Sequence, residues 1–367
     1  MRAIGLMSGT SLDGVDAALI ATDGEKIETF GPTFYRAYGE AERALLRRAL
    51  AEAASLTERA ARPGVLAEAE ALVTRAHAEA VEGLLAGSGN KPGTIDVVGF
   101  PGQTVLHRPK QRLTIQIGDG RALARRLGII VVQDFRAADI AAGGQGAPLV
   151  PVFHRAMVET LKRPLPVAVL NVGGVANVTY VDGSSTPIAC DIGPGNALID
   201  DFMRLRTGLP YDDNGAAAAS GTPDQIFIAR ILENPFFDLK PPKSLDRNAF
   251  AFPNAGLPAF SVADGAATLT ALTAAAVARI VPHLPRPPSS WIVAGGGARN
   301  ATLMRMLAQN LAPATVETAD AVGWSAKDLE AQAFAFLAVR RLRDLPITFP
   351  STSGAPKPLP GGEAVRP

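Results

Sequence analysis

A strand, a glycine-rich turn and a second strand open the chain: Ala3–Met7, Ser8–Gly14, then Val15–Thr22. The same arrangement returns at Val167–Asn171, Gly173-Gly174 and Val175–Val181. Apolar residues alternate or run together in the strand segments, and the glycines between them mark tight turns. One reading is a duplicated unit that builds two related lobes. The other is a chance match between β-hairpins, which are common. The length of 367 residues favours two lobes, because single cores stop growing near ~250–300 residues. Hydrophobic residues make up 47% of the chain, enough for a core in each lobe.

Between and after these units the pattern alternates. Lys26–Tyr38 reads as a third antiparallel strand, interrupted at Gly31-Pro32. Glu40–Ala54 and Val65–Ala86 have helical spacing. Strands follow at Ile95–Phe100 and Leu113–Ile117, a short helix at Arg121–Leu127, and a strand at Ile129–Gln133. Asp139 to Pro151 reads as loop. In the second half, strand Ile188–Asp191 precedes a helix from Asn196 to Leu205. Helices Asp264–Val281, Ala301–Leu311 and Ala326–Leu342 bracket a strand at Trp291–Ala294. Pro285–Pro288 reads as a rigid connector, and the Pro/Gly-rich tail from Ser351 is expected to be poorly ordered at its end. The expected division is a first lobe of residues 1–140 and a second of 141–367, whose C-terminal helix can pack back on the first.

Several function classes lose support. A net charge of +1 gives no basic field for nucleic acid. Cys190 is the single cysteine, so no intrachain disulfide or cysteine metal cluster can form, and this usage suits a reducing cytosol. The first apolar run is too short for a signal peptide. Ala266–Val281 is broken by threonines and Arg279 and reads as a buried amphipathic helix, not a membrane span. The four histidines have no metal-ligand spacing.

Three glycine turns follow strands: Ser8–Gly14, Gly173-Gly174 and Gly295-Gly296-Gly297. Without a Cβ, such turns let backbone N–H groups approach phosphate closely. Thr10 and Ser11 add hydroxyl donors. Asp13 would repel phosphate unless a Mg²⁺ ion, held directly or through water, lies between them; alternatively Asp13-Gly14 is simply a hairpin turn. No Walker pattern and no dinucleotide fingerprint is present. Gly295–Asn300 precedes a helix whose N-terminus suits a nucleotide, against the alternative of close strand–helix packing.

Asp191 ends an apolar strand before Gly193-Pro194-Gly195-Asn196. A carboxylate at such a position can enter a cleft between lobes and accept a proton from a nucleophile. The alternative is a helix cap, a role for which Asn196 is better placed. Other polar residues sit in or near loops: Gln103, His107, Asp119, Asp134, Arg136, Gln145, Lys243 and Arg247. A kinase cleft needs cations near phosphate and donors for sugar hydroxyls, although most of this set reads as ordinary surface. His154 reads as structural. Glu330, among Leu329, Ala331 and Phe334, is either a partly solvated helix edge or a ligand contact.

Gly5-Leu6-Met7-Ser8-Gly9-Thr10-Ser11-Leu12-Asp13-Gly14-Val15-Asp16 resembles the anhydro-N-acetylmuramic acid kinases. Asp134–Arg136 through Gly143–Leu149, Asn171–Asn177, Asp191–Asn196, Gly295–Asn300, Asp320–Gly323 and Glu330–Ala335 extend the resemblance over residues 3 to 355. It implies an α/β, two-lobed actin/hexokinase-like (ribonuclease H-like) fold, with mixed sheets flanked by helices and a duplicated core. It further implies ATP and Mg²⁺, a small amino-sugar substrate, and a product of ring opening and phosphorylation used in cell-wall recycling. By the same resemblance Gly9 to Asp16 (Gly9, Thr10, Ser11, Leu12, Asp13, Gly14, Val15, Asp16) form the ATP phosphate loop. Gly173, Gly174 and Gly295 to Gly297 border the nucleotide, and Asp191 is the base. Gln103, Asp119, Arg136 and Glu330 stand as candidate sugar contacts. The family is usually dimeric, so a cytoplasmic homodimer without nucleic-acid or membrane partners is expected.

The chain departs from the family's pattern in three places. Pro101-Gly102-Gln103-Thr104 stands where members commonly have His-Gly-Gln-Thr, which bears on substrate choice. Leu245-Asp246 replaces a usual Thr-Gly pair, and the last ten residues match nothing in the family. A related kinase for another amino sugar, and a nucleotide-gated binding protein without phosphotransfer, are the competing readings. The latter would need a peptide-binding region that no segment after residue 343 supplies.

Overall fold

The computed structural model describes residues 1–9, 11–246, 250 and 260–367; Thr10 and Arg247, two of the candidates above, lie outside the described residues. The chain divides into two units, Met1–Thr160 with Lys327–Pro367, and Leu161–Ala326.

In the first unit, β1 (Arg2–Met7), β2 (Gly14–Thr22) and β3 (Ile27–Ala37) form an antiparallel meander that sets Met7 opposite Asp16. β3 runs through Gly31-Pro32, and a register shift between Ala18 and Ile20 on β2 absorbs the irregularity. Pro32 is tolerated because β3 is an edge strand, which has one side free of ladder bonds. Helices α1 (Glu40–Ala53) and α2 (Leu66–Ser88) follow, the second ending at Gly89 with φ 68°. β4 (Val97–Phe100) runs parallel to β1. β5 (Gln103–Arg108) and β6 (Leu113–Ile117) form a separate hairpin. Next come α3 (Gly120–Leu127), β7 (Val131–Gln133) parallel to β4, α4 (Ala137–Ala141) and α5 (Pro151–Thr160).

The second unit begins with the antiparallel β8 (Val167–Val172), β9 (Val175–Val181) and β10 (Ile188–Pro194). After α6 (Ala197–Thr207), α7 (Ala216–Ser220), α8 (Gln225–Leu232) and α9 (Val262–Ala278), β11 (Ser290–Ala294) pairs parallel with β8. α10 (Ala301–Asn310) leads to β12 (Thr315–Thr318), parallel to β11. The chain then re-enters the first unit as α11 (Leu329–Leu342) and β13 (Glu363–Val365).

The sheets have the orders β13-β7-β4-β1-β2-β3 and β10-β9-β8-β11-β12. With β13 set aside they are the same: an antiparallel meander, then two parallel strands on the far side of its first strand. Chance hairpins would not repeat the crossovers, so the duplicated mixed α/β core expected from the sequence is present.

Packing explains where glycine stands inside two strands. A Cβ on Gly5 would lie 1.8 Å from the Ala331 carbonyl oxygen, and one on Gly99 would lie 2.1 Å from that of Phe334. Glycine on β1 and β4 therefore lets the backbone of α11 rest on the sheet. α9 belongs to the one helix, Val262–His283, that is long and apolar enough to cross a membrane by composition among the described residues. Buried residues lie on all its sides, Ala267, Leu269, Thr270 and Leu272 among them, so it is a core helix rather than an amphipathic one.

The tail corrects the expectation of disorder. Arg341 Nε donates to the Gly362 carbonyl at 2.9 Å, Val365 is buried, and β13 adds to the edge of β7. α4 enters the Asp139–Pro151 stretch whose pattern predicts loop, and α5, α7, α8, β5 and β12 form where the pattern defines no element.

Candidate active site

The turn between β1 and β2 is built from behind. Ser8, Tyr38 and Gln103 are all buried, and Ser8 Oγ donates to Gln103 Oε1 at 2.6 Å while lying 3.2 Å from Tyr38 Oη. Leu12 is buried with φ 58°, and its N–H donates to the Gly9 carbonyl at 3.2 Å. Ser11 and Asp13 are exposed, Gly9 is half-buried and Val15 is buried. The Tyr38 N–H donates to the Asp13 carbonyl at 2.8 Å, and a Cβ on Gly14 would strike the Arg36 carbonyl oxygen at 2.4 Å. The turn thus presents Ser11 and Asp13 outward on a tightly packed base.

Charges gather beside it in the same unit. Asp16 faces Lys327 (Oδ1–Nζ 3.9 Å), and Lys327 also stands 4.5 Å from the centre of the Tyr35 ring. Burial raises the Asp16 carboxyl above the ordinary range, with Lys327 opposing and Asp328 adding to the rise. Glu330 keeps solvent-accessible surface yet is crowded by protein, and that crowding raises its carboxyl; Arg136 opposes and Asp16 reinforces. Burial lowers the Arg136 guanidinium below its ordinary value while Glu330 and Asp139 hold it up. Arg136 donates to the Gly146 carbonyl at 2.7 Å, and Asp139 takes the Gly146 N–H (2.6 Å) and the Ser353 hydroxyl (2.6 Å). Asp139 is therefore the internal pin of the Gly143–Gly146 loop. His107 adjoins this group: burial first, then Arg136, lowers its imidazole, and a bond with Gln145 opposes.

Asp119 is set apart from these residues. It caps α3, accepting from the N–H groups of Arg121 (2.9 Å) and Ala122 (3.0 Å), and lines a groove with Glu70, Thr74 and Arg126. Asp134 pairs with Arg59 at 2.6 Å at the rim of a cavity of about 250 Å³ that Pro101 and Gln116 also line.

In the second unit three motifs distant in sequence meet. The N–H groups of Gly195 and Asn196 donate to the carbonyls of Gly174 (3.0 Å) and Gly173 (2.7 Å), and Asn196 Nδ2 donates to the Val172 carbonyl at 3.0 Å. A Cβ on Gly195 would fall 2.3 Å from the Gly173 carbonyl oxygen, and one on Gly297 would fall 2.5 Å from Val172 Cγ1. Gly295 takes φ 80°, where a side chain would also meet Asn171 Oδ1 at 2.5 Å. Side chains are absent from these turns because the turns lie against one another. Gly174 and Gly296 keep exposed surface, and a cavity of about 290 Å³ opens beside Gly296, lined by Asn196, Tyr211, Asp212, Arg299 and Asn300.

Two details differ from the sequence reading. Asn196 makes no side-chain cap on α6, since its amide is engaged by Val172. A 3₁₀ turn, Gly296–Arg299, separates Gly295 from α10, whose first turn is capped by Asn300 Oδ1 on the Leu303 N–H at 2.9 Å.

Asp191 sits at a β-bulge of β10, where the pairing with β9 shifts between Asp191 and Gly193. Its Oδ2 accepts the Leu245 N–H at 2.7 Å, and its own N–H donates to the Lys243 carbonyl at 2.9 Å. Burial pushes its carboxyl up to about 6, against the Leu245 bond that lowers it. Lys243 is buried behind it, with Nζ 2.9 Å from the Phe236 carbonyl oxygen and 4.4 Å from the centre of the Phe236 ring. It anchors the segment that holds Asp191. Composition gave no signal for Leu245, whose contribution is a backbone N–H.

The full length of the chain has close relatives. Residues 1–365 match the sequence profile of the family described as anhydro-N-acetylmuramic acid kinase. Three proteins of that name are similar to it: from Rhodopseudomonas palustris at 62% identity and from Nitrobacter winogradskyi at 60%, each over 100% of both chains, and from Methylorubrum extorquens at 55% over 100% of this chain and 99% of that one.

Proposed function

The chain belongs to the anhydro-N-acetylmuramic acid kinase family, and from that premise we propose that it uses ATP to phosphorylate 1,6-anhydro-N-acetylmuramic acid while water opens the anhydro ring. The products are N-acetylmuramic acid 6-phosphate and ADP, and the setting is peptidoglycan recycling. The observation that carries the mechanism is Asp191: a carboxylate at a strand bulge, held by the Leu245 N–H and raised by burial to about 6. Such a group is mostly ionised at neutral pH and still a competent proton acceptor.

The substrate's chemistry explains the need for a base. The bridging oxygen is bonded to two ring carbons and carries no proton, so no hydroxyl awaits deprotonation there. Asp191 instead takes a proton from water as that water attacks the anomeric carbon from the face opposite the bridge. The C1–O bond breaks, and the bridging oxygen, still on C6, takes the γ-phosphoryl group. Inversion at C1 follows from the geometry of attack.

The glycine turns at 173–174 and 295–297 suit the nucleotide because Gly174 and Gly296 keep exposed surface and a cavity opens beside Gly296, where bare backbone can approach phosphate. The β1–β2 turn suits the phosphates through Gly9 and Ser11. Among the described residues no cluster of three or more metal-ligating side chains exists, so the residues fit a Mg²⁺ held mainly by phosphate oxygens and water, with exposed Asp13 beside it. Bound there, the cation would offset phosphate charge. Arg136 and Glu330 are the proposed sugar contacts, because their charges are crowded by protein yet, among the described residues, not consumed in an ion pair at bonding distance. A cytoplasmic homodimer completes the proposal, with sedimentation of the purified protein as its test.

Turnover of ATP with anhydro-N-acetylmuramic acid, N-acetylmuramic acid and N-acetylglucosamine tests the assignment. Only the anhydro sugar should support it; equal or better turnover with either reducing sugar would assign a different kinase.

A further inference from the structure

We propose that Gln103 is a positioning residue for the nucleotide loop, acting through Ser8 and Gly9, and not a group that touches the sugar. The inference rests on the kinase reading above and deepens it.

Ser8 Oγ has one proton, and it goes to Gln103 Oε1 at 2.6 Å. Ser8 must therefore accept from the Tyr38 hydroxyl, 3.2 Å away. The other end of the amide, Gln103 Nε2, donates to the Gly9 carbonyl at 3.5 Å, which also takes the Leu12 N–H at 3.2 Å. The amide can face only one way, because a flip would set its oxygen against a carbonyl oxygen. The result is a directional chain, Tyr38 to Ser8 to Gln103 to Gly9, linking the ends of β1, β3 and β5.

Burial makes this chain consequential. Gln103 is 1% exposed, Tyr38 3% and Ser8 5%, so a lost partner is not replaced by bulk water. It also removes Gln103 from reach of a solute. Gly102 delivers the side chain inward: it takes φ 67°, and a Cβ there would strike the Ile117 carbonyl oxygen at 2.7 Å. Among the described residues the Ser11 and Asp13 side chains make no such bonds, and the Asp13 carbonyl is held by the Tyr38 N–H at 2.8 Å, so the position of the loop's outer surface depends on the buried side.

The test is the dissociation constant for ATP, measured by calorimetry without sugar, beside KM for each substrate. Gln103→Leu should weaken ATP about tenfold, the loss of roughly one well-made buried bond, with KM for the sugar changed less than twofold. Tyr38→Phe should act in the same direction but less. Gln103→Glu keeps the acceptor for Ser8 and loses the donor to Gly9. Its ATP affinity should improve as pH falls, when the carboxyl regains a proton to donate, and Gln103→Leu should show no such gain. Unchanged ATP affinity in all three variants, or a selective rise in KM for the sugar, would overturn the inference. Failure of the unmodified protein to bind ATP would overturn the kinase reading itself.

Discussion

Asp191 is held by contacts that give it two separable roles, one in turnover and one in stability. As the base it must be ionised, so kcat/KM should fall about tenfold per pH unit below ~6. Asp191→Asn should bind ATP and sugar yet lose nearly all turnover; a variant keeping a tenth of the rate would rule the role out. The stability effect has the opposite preference. The folded carboxyl, at about 6, binds a proton more readily than the unfolded one at 3.8. Between those values the native state carries more protons, so this group's contribution declines as pH rises through them. Asp191→Asn should therefore stabilise the fold at pH 7.5, by at most ~3 kcal/mol, and the gain should vanish below pH ~4. Urea midpoints at the two pH values read this directly. The strand that carries Asp191 was legible, although β10 runs on to Pro194, so that Asp191 lies at a bulge within it and not at its end. Its partner was not legible, because Leu245 lies 54 residues away and acts through its backbone.

The glycine turns of the second unit show the same limit in elements. Each turn was visible from its glycines, but their mutual contact was not. Asn196 illustrates the reason: its residue type suits a helix cap, and tertiary contact with Val172 takes the amide instead. Gly195→Ala places a Cβ against the Gly173 carbonyl and must spread the two turns. The expected outcome is a loss of roughly 1–3 kcal/mol in stability together with at least tenfold weaker ATP binding, read by thermal melting and calorimetry. Normal ATP affinity in a folded variant would show that the turn-to-turn contact does not shape the nucleotide site. β5 and β12 escaped the sequence reading for another reason. They are short strands, and pairing rather than propensity defines them.

At the scale of the molecule, the repeat of strand–glycine turn–strand was the strongest single signal, and the matching sheet orders follow from it. The tail was misread because proline and glycine content suggests disorder, whereas Gly361, Gly362 and Val365 fit a packed sheet edge. Removing residues 361–367 bares the edge of β7 and loses the burial of Val365, and should cost about 2 kcal/mol in a urea titration; an unchanged midpoint would make the added strand incidental. The reaction itself is tested most directly by running it in heavy-oxygen water and weighing the sugar phosphate early in turnover. One heavy oxygen is expected, located on the anomeric carbon, and none in the phosphate. Label in the phosphoryl group, or none in the sugar, would contradict coupled hydrolysis and phosphorylation.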